Sequence, residues 1–342
     1  MKDDCFAIGK NLDNISDSFF QFYRMDFNKE IGELTKLLQL TISELDQLLI
    51  EPTYEVFSIP KKKVGMREIT APNFALRSVQ QILNTYFQKE YPHNLGLDSV
   101  FISKKMGVDL TVKSPLVRNA ILHIKQPYLA SMDIKDFYSS ITAQQVFSLF
   151  TSPKFNFSEK IALILTRLTT YKGYLPTGAP TSPVISNFIL AEIDQEILSF
   201  LTTKGIVFSR YADDITLSSE TPISMDIITQ IEEILSPFQI NKKKTRFISA
   251  NRQQKVTGIV VNEKQNVDRK WIKKLRAMLH DFEKNGLTKA SFNHFKQGNK
   301  EVFFLRRIAG YLSFLSQVKG KNDTQFQKYN TCFDRLKLNL ER

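Results

Sequence analysis

Three aspartates in this chain stand where carboxylates do chemistry rather than packing. Asp133 falls near the end of the apolar run 128–134, and Asp213 and Asp214 sit side by side in Tyr211-Ala212-Asp213-Asp214, between the β-rich arms 206–210 and 215–218. The arms and the short link between them read as a hairpin with two carboxylates at its tip. If the strand ending in Asp133 lies beside that hairpin, all three carboxylates meet at one edge of a sheet. Oxygen donors of this kind suit magnesium, a hard cation held by a few carboxylates that completes its shell with water and substrate phosphates. Two such ions about 3.5–4 Å apart stabilise both the attacking and the leaving oxygen of an in-line displacement at phosphorus. An isolated Asp-Asp is ordinary turn chemistry, so the assignment depends on the chain around it.

The elements that must position these residues are mixed. Residues 31–50 place apolar side chains at helical spacing (Ile31, Leu34, Leu37, Leu38, then Ile42, Leu45, Leu48, Leu49) and read as two short helices broken near Thr41, with Ser43 as a cap. Residues 54–59 alternate as a strand, 61–67 form a basic hairpin tip, and 68–70 return as a strand ended by Pro72. Helices are expected at 76–87, 142–150 and 159–169. Ser182 supplies an N-cap and Pro183 the first position of a helix over 184–201, with Gly205 as its stop. A helix at 225–235 and a strand at 256–261 follow. Asp268 caps a helix whose apolar face is Trp271 or Ile272 with Leu275, Met278, Leu279 and Phe282; Lys270, Lys273, Lys274 and Arg276 cover the rest, and Gly286 ends it. A largely apolar helix over 302–318 carries Arg306 and Arg307.

The net charge of +12 is unevenly spread. Residues 241–342 hold 24 Lys and Arg against 8 Asp and Glu, a net of +16, whereas the first 240 residues hold 23 against 27, a net of −4. This asymmetry points to a polyanion-binding C-terminal module, although phosphate contacts do not separate DNA from RNA. Two cysteines, Cys5 and Cys332, in no Cys-x-x-Cys spacing, exclude a disulfide scaffold and a thiolate zinc site, and four scattered histidines offer no zinc site either. The first residues lack a basic segment followed by an apolar run, and no stretch of about 18 uncharged apolar residues is present. A cytoplasmic, reducing location without a membrane span is expected.

A Tyr-x-Asp-Asp string arises by chance in roughly one chain in thirty of this length. Here it follows, in order, Asp133-Ile-Lys-Asp-Phe-Tyr138 and Leu175-Pro-Thr-Gly-Ala-Pro-Thr-Ser-Pro183. In order and spacing the three segments resemble motifs A, B and C of reverse transcriptases. The resemblance implies an α+β right-hand polymerase: N-terminal helices and fingers over 1–125 with part of 141–175, a palm of antiparallel sheet and helices over 126–265, and a basic helical thumb over 266–342. It implies RNA-directed DNA polymerase activity using two Mg2+ ions and deoxynucleoside triphosphates. Asp133 then matches the motif A metal ligand, with the Ile134 carbonyl able to join it; Asp213 matches the principal motif C ligand and Asp214 its second carboxylate. Tyr138 occupies the place of an aromatic that collides with a ribose 2′-hydroxyl and so excludes ribonucleotides, the alternative being a core ring. Gly178 would let the backbone approach the nascent base pair. Thr177 departs from the glutamine of many relatives, which puts a side-chain contact there in question. The basic hairpin resembles the fingertip that clamps the triphosphate, with Arg67 the first candidate and Lys61 or Lys63 the second. A guanidinium grips phosphate bidentately, whereas turn lysines are also common solvated residues. Asn241-Lys-Lys-Lys-Thr245 resembles motif D and offers Lys243 or Lys244 as the acid that protonates pyrophosphate.

Two further strings narrow the resemblance. Asn119-Ala-Ile-Leu-His123 matches the Asn-Ala-x-x-His pattern that bacterial retron reverse transcriptases carry before motif A, and Val256-Thr257-Gly258 matches their Val-Thr-Gly triplet after motif D. A retron enzyme binds its own structured noncoding RNA, primes from a guanosine 2′-hydroxyl in it, and copies part of it into single-stranded DNA. The branched RNA–DNA product (msDNA) acts in antiphage defence with an effector protein. On that resemblance Asn119, His123, Val256, Thr257 and Gly258, with Lys273, Lys274 and Arg276 of the thumb, are expected to meet RNA, which is recognised by shape and 2′-hydroxyls as well as charge. His123 reads equally as a satisfied structural histidine, and 256–258 as a strand ending in a turn. The rival readings are a group II intron-like reverse transcriptase, which would carry more chain after the thumb, and a catalytically idle RNA-binding scaffold, which has no use for three clustered carboxylates.

Overall fold

The computed structural model describes residues 29–61, 65–91, 100–102 and 114–340; Cys5 and Lys63 lie outside them. In the described chain α1 (Lys29–Leu38) and α2 (Ile42–Ile50) are separated at Thr41. Thr41, rather than the expected Ser43, caps α2. Its hydroxyl accepts from the Glu44 N–H at 3.3 Å while the Glu44 carboxylate accepts from the Thr41 N–H at 2.7 Å, a reciprocal box that requires a spacing of three. β1 (Tyr54–Pro60) and β2 (Met66–Pro72) pair antiparallel as a hairpin standing apart from the main sheet. α3 (Phe74–Glu90) begins at Asn73, whose side chain accepts from the Leu76 N–H.

The main sheet follows from the β-branched and alternating segments around the aspartates. β3 (Val100–Ile102), then α4 (Pro115–Ile121), lead to β4 (Tyr128–Asp133); α5 (Ala143–Thr151), α6 (Glu159–Thr169) and α7 (Ser182–Thr202) intervene before the hairpin of β5 (Val207–Tyr211) and β6 (Asp214–Ser219). After α8 (Met225–Ile234), β7 (Arg246–Ser249) completes five antiparallel strands in the order β3-β5-β6-β4-β7. The expected cap of α7 is displaced by one residue. Ser182 is already helical, and its hydroxyl donates to the Pro176 carbonyl at 2.6 Å, pinning the preceding loop instead.

Strand periodicity places β4 between two hydrophobic cores. Ala130 and Met132 join a core built from α1–α3, α5–α8 and the hairpin, while Leu129 joins a second core with α4 and the C-terminal helices. The sheet is therefore covered on both faces, which explains why β4 reads as an apolar run. The expected strand over 256–261 is in fact a miniature hairpin, β8 (Lys255–Val256) and β9 (Ile259–Val260). Thr257 and Gly258 at φ 48° and 87° form its turn, the positive pair that a type I′ connection demands.

Three helices end the chain: α9 (Arg269–Phe295), α10 (Glu301–Lys319) and α11 (Thr324–Leu338). Asp268 caps α9 as expected, accepting from the Lys270 N–H at 2.7 Å. Both Trp271 and Ile272 pack on the second core, with Trp271 stacked on Tyr311 at 4.3 Å. Gly286 ends the first part of α9, as expected: at φ 74° it is non-helical, and beyond this kink a second helical stretch, with Ala290 and Ser291 buried, runs to Phe295. Among the described residues no helix is long and apolar enough to cross a membrane.

Candidate active site

Register brings the three aspartates together. Tyr211 pairs with Asp214 across β5 and β6, so Ala212 and Asp213 are the whole turn. Ala212 has φ 52°, the left-handed region at the first turn position, which glycine usually fills in a hairpin of this kind. Asp133 stands directly opposite Asp214 across β4 and β6, and opposed residues share a face with Cβ atoms about 4.5–5.5 Å apart. The Ile134 N–H donates to the Asp213 carbonyl at 2.9 Å, extending the ladder by one bond past the strand end. Ile134 itself is buried, 1% exposed.

This edge is short of positive charge. Burial, then the charge of Asp133, hold the Asp213 carboxyl above the usual range, against Lys244 and Arg67. Asp214 keeps contact with solvent, yet lost hydration on its protein side, then the charges of Asp213 and Asp133, push it up to about 6. Lys244 Nζ sits 2.6 Å from Asp133 Oδ2, and the Asn241 N–H donates to the Asp133 carbonyl at 2.8 Å, tying the lysine segment to this strand end. Lys243 points to solvent. Among the described residues no three His, Cys, Asp or Glu side chains are arranged as a ready metal cage, and Asp133 Oδ2 accepts from Lys244. The donor set fits a hard dication: it offers oxygens alone, and mutual repulsion that a cation would relieve.

Around this edge the remaining candidates are distributed as follows. Arg67 is exposed on β2 and near enough to act on Asp213, and Lys61 is exposed at the hairpin tip, its N–H donating to the Gly65 carbonyl. Tyr138 opens a 3-10 turn (Tyr138–Ser140), half-buried beside Phe137. Burial, then the charges of Asp213 and Tyr211, push its phenol up to about 12. Gly178 is required by a protein contact. Its N–H donates to the Thr70 carbonyl at 2.9 Å, and a Cβ there would lie 2.9 Å from that oxygen and 3.1 Å from Ala71 Cα. Thr177 has a contact of its own, accepting from the Thr70 N–H at 3.0 Å. The 177–178 backbone thus docks on the free edge of β2.

The expected RNA-facing set divides. Lys273, Lys274 and Arg276 are exposed on α9. Gly258 is exposed in its turn, and Thr257 donates from its hydroxyl to the Leu116 carbonyl at 3.1 Å. Asn119, His123 and Val256 must be corrected: they are 1%, 0% and 1% exposed, and their side chains face the protein. His123 bridges the two strands of the hairpin, Nδ1 to Ser218 Oγ at 2.7 Å and Nε2 to Ser209 Oγ at 2.8 Å. Burial lowers its pKa to about 3, so it is neutral and structural.

Sequence reasoning missed Arg210, Asp194 and Asn187, which lie behind the turn in the core. Arg210 donates to Asp194 on α7 and to the Ala212 carbonyl. A signal was present: an arginine inside the apolar strand 206–210 and an aspartate inside the apolar helix 184–201 must each find a partner when buried.

A sheet edge presenting aspartates from two adjacent strands, on an α+β frame with helices on both faces, defines a right-hand nucleic-acid polymerase. Residues 59–261 match the family described as reverse transcriptase (RNA-dependent DNA polymerase). The match takes in more than half of the chain, which belongs to that family. Among curated proteins it is similar to the retron Ec86 reverse transcriptase of Escherichia coli, 28% identical over 313 residues, covering 87% of this chain and 88% of the relative. The retron Ec83 reverse transcriptase of Escherichia coli is 26% identical over 75% of this chain and 85% of its own. The retron Ec73 reverse transcriptase of the same organism is 32% identical over 60% and 67% respectively.

Proposed function

We propose that this reverse transcriptase is a retron enzyme that copies part of its own structured noncoding RNA into single-stranded DNA, priming from a guanosine 2′-hydroxyl. The observation that carries the catalytic half is the register that sets Asp133 against Asp214 with Asp213 at the adjoining tip. The retron half rests on similarity to retron enzymes over most of both chains. Of the described residues, those within 1–125 and part of 141–175 make up the fingers, those within 126–265 the palm and those within 266–342 the thumb.

In each addition the primer oxygen bonds to the α-phosphorus of a deoxynucleoside triphosphate as the bond to pyrophosphate breaks. Asp133, Asp213 and Asp214, with the Ile134 carbonyl, would hold two Mg2+ ions, which supply charge stabilisation for both oxygens. Arg67 and Lys61 face the triphosphate from the fingertip hairpin. Tyr138, half-buried beside Asp213, blocks a ribose 2′-hydroxyl. Gly178 acts indirectly, keeping its loop against β2 so that fingers and palm share one wall of the pocket. Lys244 is the acid for the departing pyrophosphate in preference to Lys243, because Lys244 reaches the carboxylate edge. The RNA is gripped by Lys273, Lys274 and Arg276 and by the Thr257-Gly258 turn. The product works in cytoplasmic antiphage defence with an effector protein.

The test is on nucleic acid from cells expressing the chain with its native upstream DNA, treated with RNase and a 2′–5′ debranching enzyme. A discrete single-stranded DNA that shifts on debranching and vanishes in Asp213→Asn is expected. Linear DNA without a branch would remove the retron half and leave the polymerase.

A further inference from the structure

The buried charge pair behind the turn uses its donors in an unusual way. Arg210 and Asp194 side chains are 2% and 1% exposed. Arg210 Nε donates to Asp194 Oδ1 at 2.8 Å and Oδ2 at 3.1 Å, and Nη2 donates to Oδ2 at 2.6 Å. Nη1 donates to Asn187 Oδ1 at 3.2 Å and to the Ala212 carbonyl at 3.0 Å. Desolvating two charges offsets most of their attraction, so such a pair is a poor way to stabilise a core. What it provides is a rigid fork aimed at one backbone carbonyl.

That carbonyl belongs to the residue with the strained backbone. An alanine at φ 52° lacks the freedom glycine has there and is held only by its surroundings. The carbonyl of the next residue, Asp213, accepts from the Ile134 N–H. Both turn carbonyls are therefore anchored, one to a guanidinium fixed on α7 and one to β4. The Asp213 backbone, from which the carboxylate projects, cannot shift without breaking one of them.

We propose that the Arg210–Asp194 pair is a positioning device for the turn, holding Ala212 in the left-handed conformation and thereby fixing where Asp213 presents its carboxylate. This rests on the reading that Asp213 and Asp214 carry nucleotide addition. Arg210 touches no substrate and acts through the backbone.

Arg210→Lys keeps a cation beside Asp194 but replaces a planar fork by a single ammonium, which cannot serve Asp194, Asn187 and Ala212 together. In the full chain, with an oligo(dT) primer on poly(rA), kcat for dTTP addition is expected to fall about 100-fold, while KM for dTTP and affinity for the hybrid change by less than about threefold. Adding Ala212→Gly to Arg210→Lys is the deciding step. Glycine takes the left-handed conformation unaided, so kcat should recover by about tenfold. An arginine that only fills the core gives no such recovery, because Ala212→Gly adds no contact there. Where Arg210→Lys does not fold, Arg210→Met with Asp194→Leu removes both charges together and is compared with and without Ala212→Gly. An unchanged kcat in a folded variant, a loss that Ala212→Gly leaves in place, or failure of both variants to fold would each overturn the proposal. Asp213→Asn is assayed alongside, and only its retained activity would overturn the site assignment beneath.

Discussion

The hairpin of β5 and β6 and the C-terminal helices both present charge, and they hold it in opposite ways. Around the hairpin several polar groups have fixed partners: His123 ties Ser209 to Ser218, Arg210 ties α7 to the turn, and on the adjoining strand Lys244 lies on Asp133. On α9, Lys273, Lys274 and Arg276 are exposed, and ion pairs run along the margins, as between Lys255 and Asp268 or Arg335 and Glu283. Chemistry at phosphorus needs carboxylates placed to a fraction of an ångström. Gripping a polyanion needs only charge density that releases counterions. The difference predicts that single changes at the hairpin act sharply on one property, and that changes on the helices act weakly on all substrates alike.

The sharpest break is Asp213→Asn. Loss of this carboxylate is expected to lower the rate of DNA synthesis by about 1,000-fold or more, with RNA affinity unchanged because the basic helices are untouched. Filter binding and primer extension on the same preparation check it. Equal loss of both would mean that the two regions are not separable. Next in size is His123→Ala, which strands two buried hydroxyls and leaves a cavity. Stability should drop by about 2–5 kcal/mol in urea unfolding, while RNA affinity in buffer stays as it was. Weaker RNA binding by a fully folded variant would return His123 to the RNA-facing set.

The same contrast explains what the sequence made legible. The three aspartates, their strands and the α9 cap were readable because local periodicity and capping chemistry decide them. The segment at Thr257-Gly258 stays open between a strand over 256–261 and a strand ending in a turn, because one glycine inside an apolar run fits either until the register is known. Gly286 is rightly read as a stop, but the second helical stretch that follows it to Phe295 is missed, since what packs beyond a stop leaves no local mark. Gly178 is expected to approach the nascent base pair; the contact it makes in this structure is with the β2 backbone, which is distant in sequence and invisible to spacing. His123 and Arg210 are polar groups whose meaning depends on which side of a sheet they face, which register alone decides.

A smaller effect concerns the cost of clustering the carboxylates. The pKa of Asp214 is raised from 3.8 to about 6 in the folded chain. The folded state then holds the proton more tightly than the unfolded state, so between about pH 4 and 6 stability falls as pH rises, and levels off above. In metal-free buffer the melting temperature of the wild type should decline through this window by a few degrees relative to Asp214→Asn, about the size expected for a solvent-touching group. Identical pH profiles would show that burial and the neighbouring charges do not act on Asp214. Magnesium added at pH 7 should narrow the gap, because a dication relieves the repulsion that raises the pKa.

The smallest effect belongs to the helices. Lys274 is exposed on α9 and enters no ion pair among those described, so its removal leaves no stranded partner and no cavity. Lys274→Ala should keep kcat and melting temperature, weaken binding to any RNA of similar length by about three- to fivefold at low salt, and reduce the slope of log affinity against log salt by about 0.7–0.9. The slope is the informative quantity. A lysine reading shape or a 2′-hydroxyl would lose affinity for the cognate RNA more than for an unrelated one, with little change in slope. A lysine contributing only field would lose both equally. Discrimination that survives Lys274→Ala but fails in Thr257→Val would place recognition at the β8–β9 turn, where the Thr257 hydroxyl is tied to the Leu116 carbonyl, and leave the helices with affinity alone.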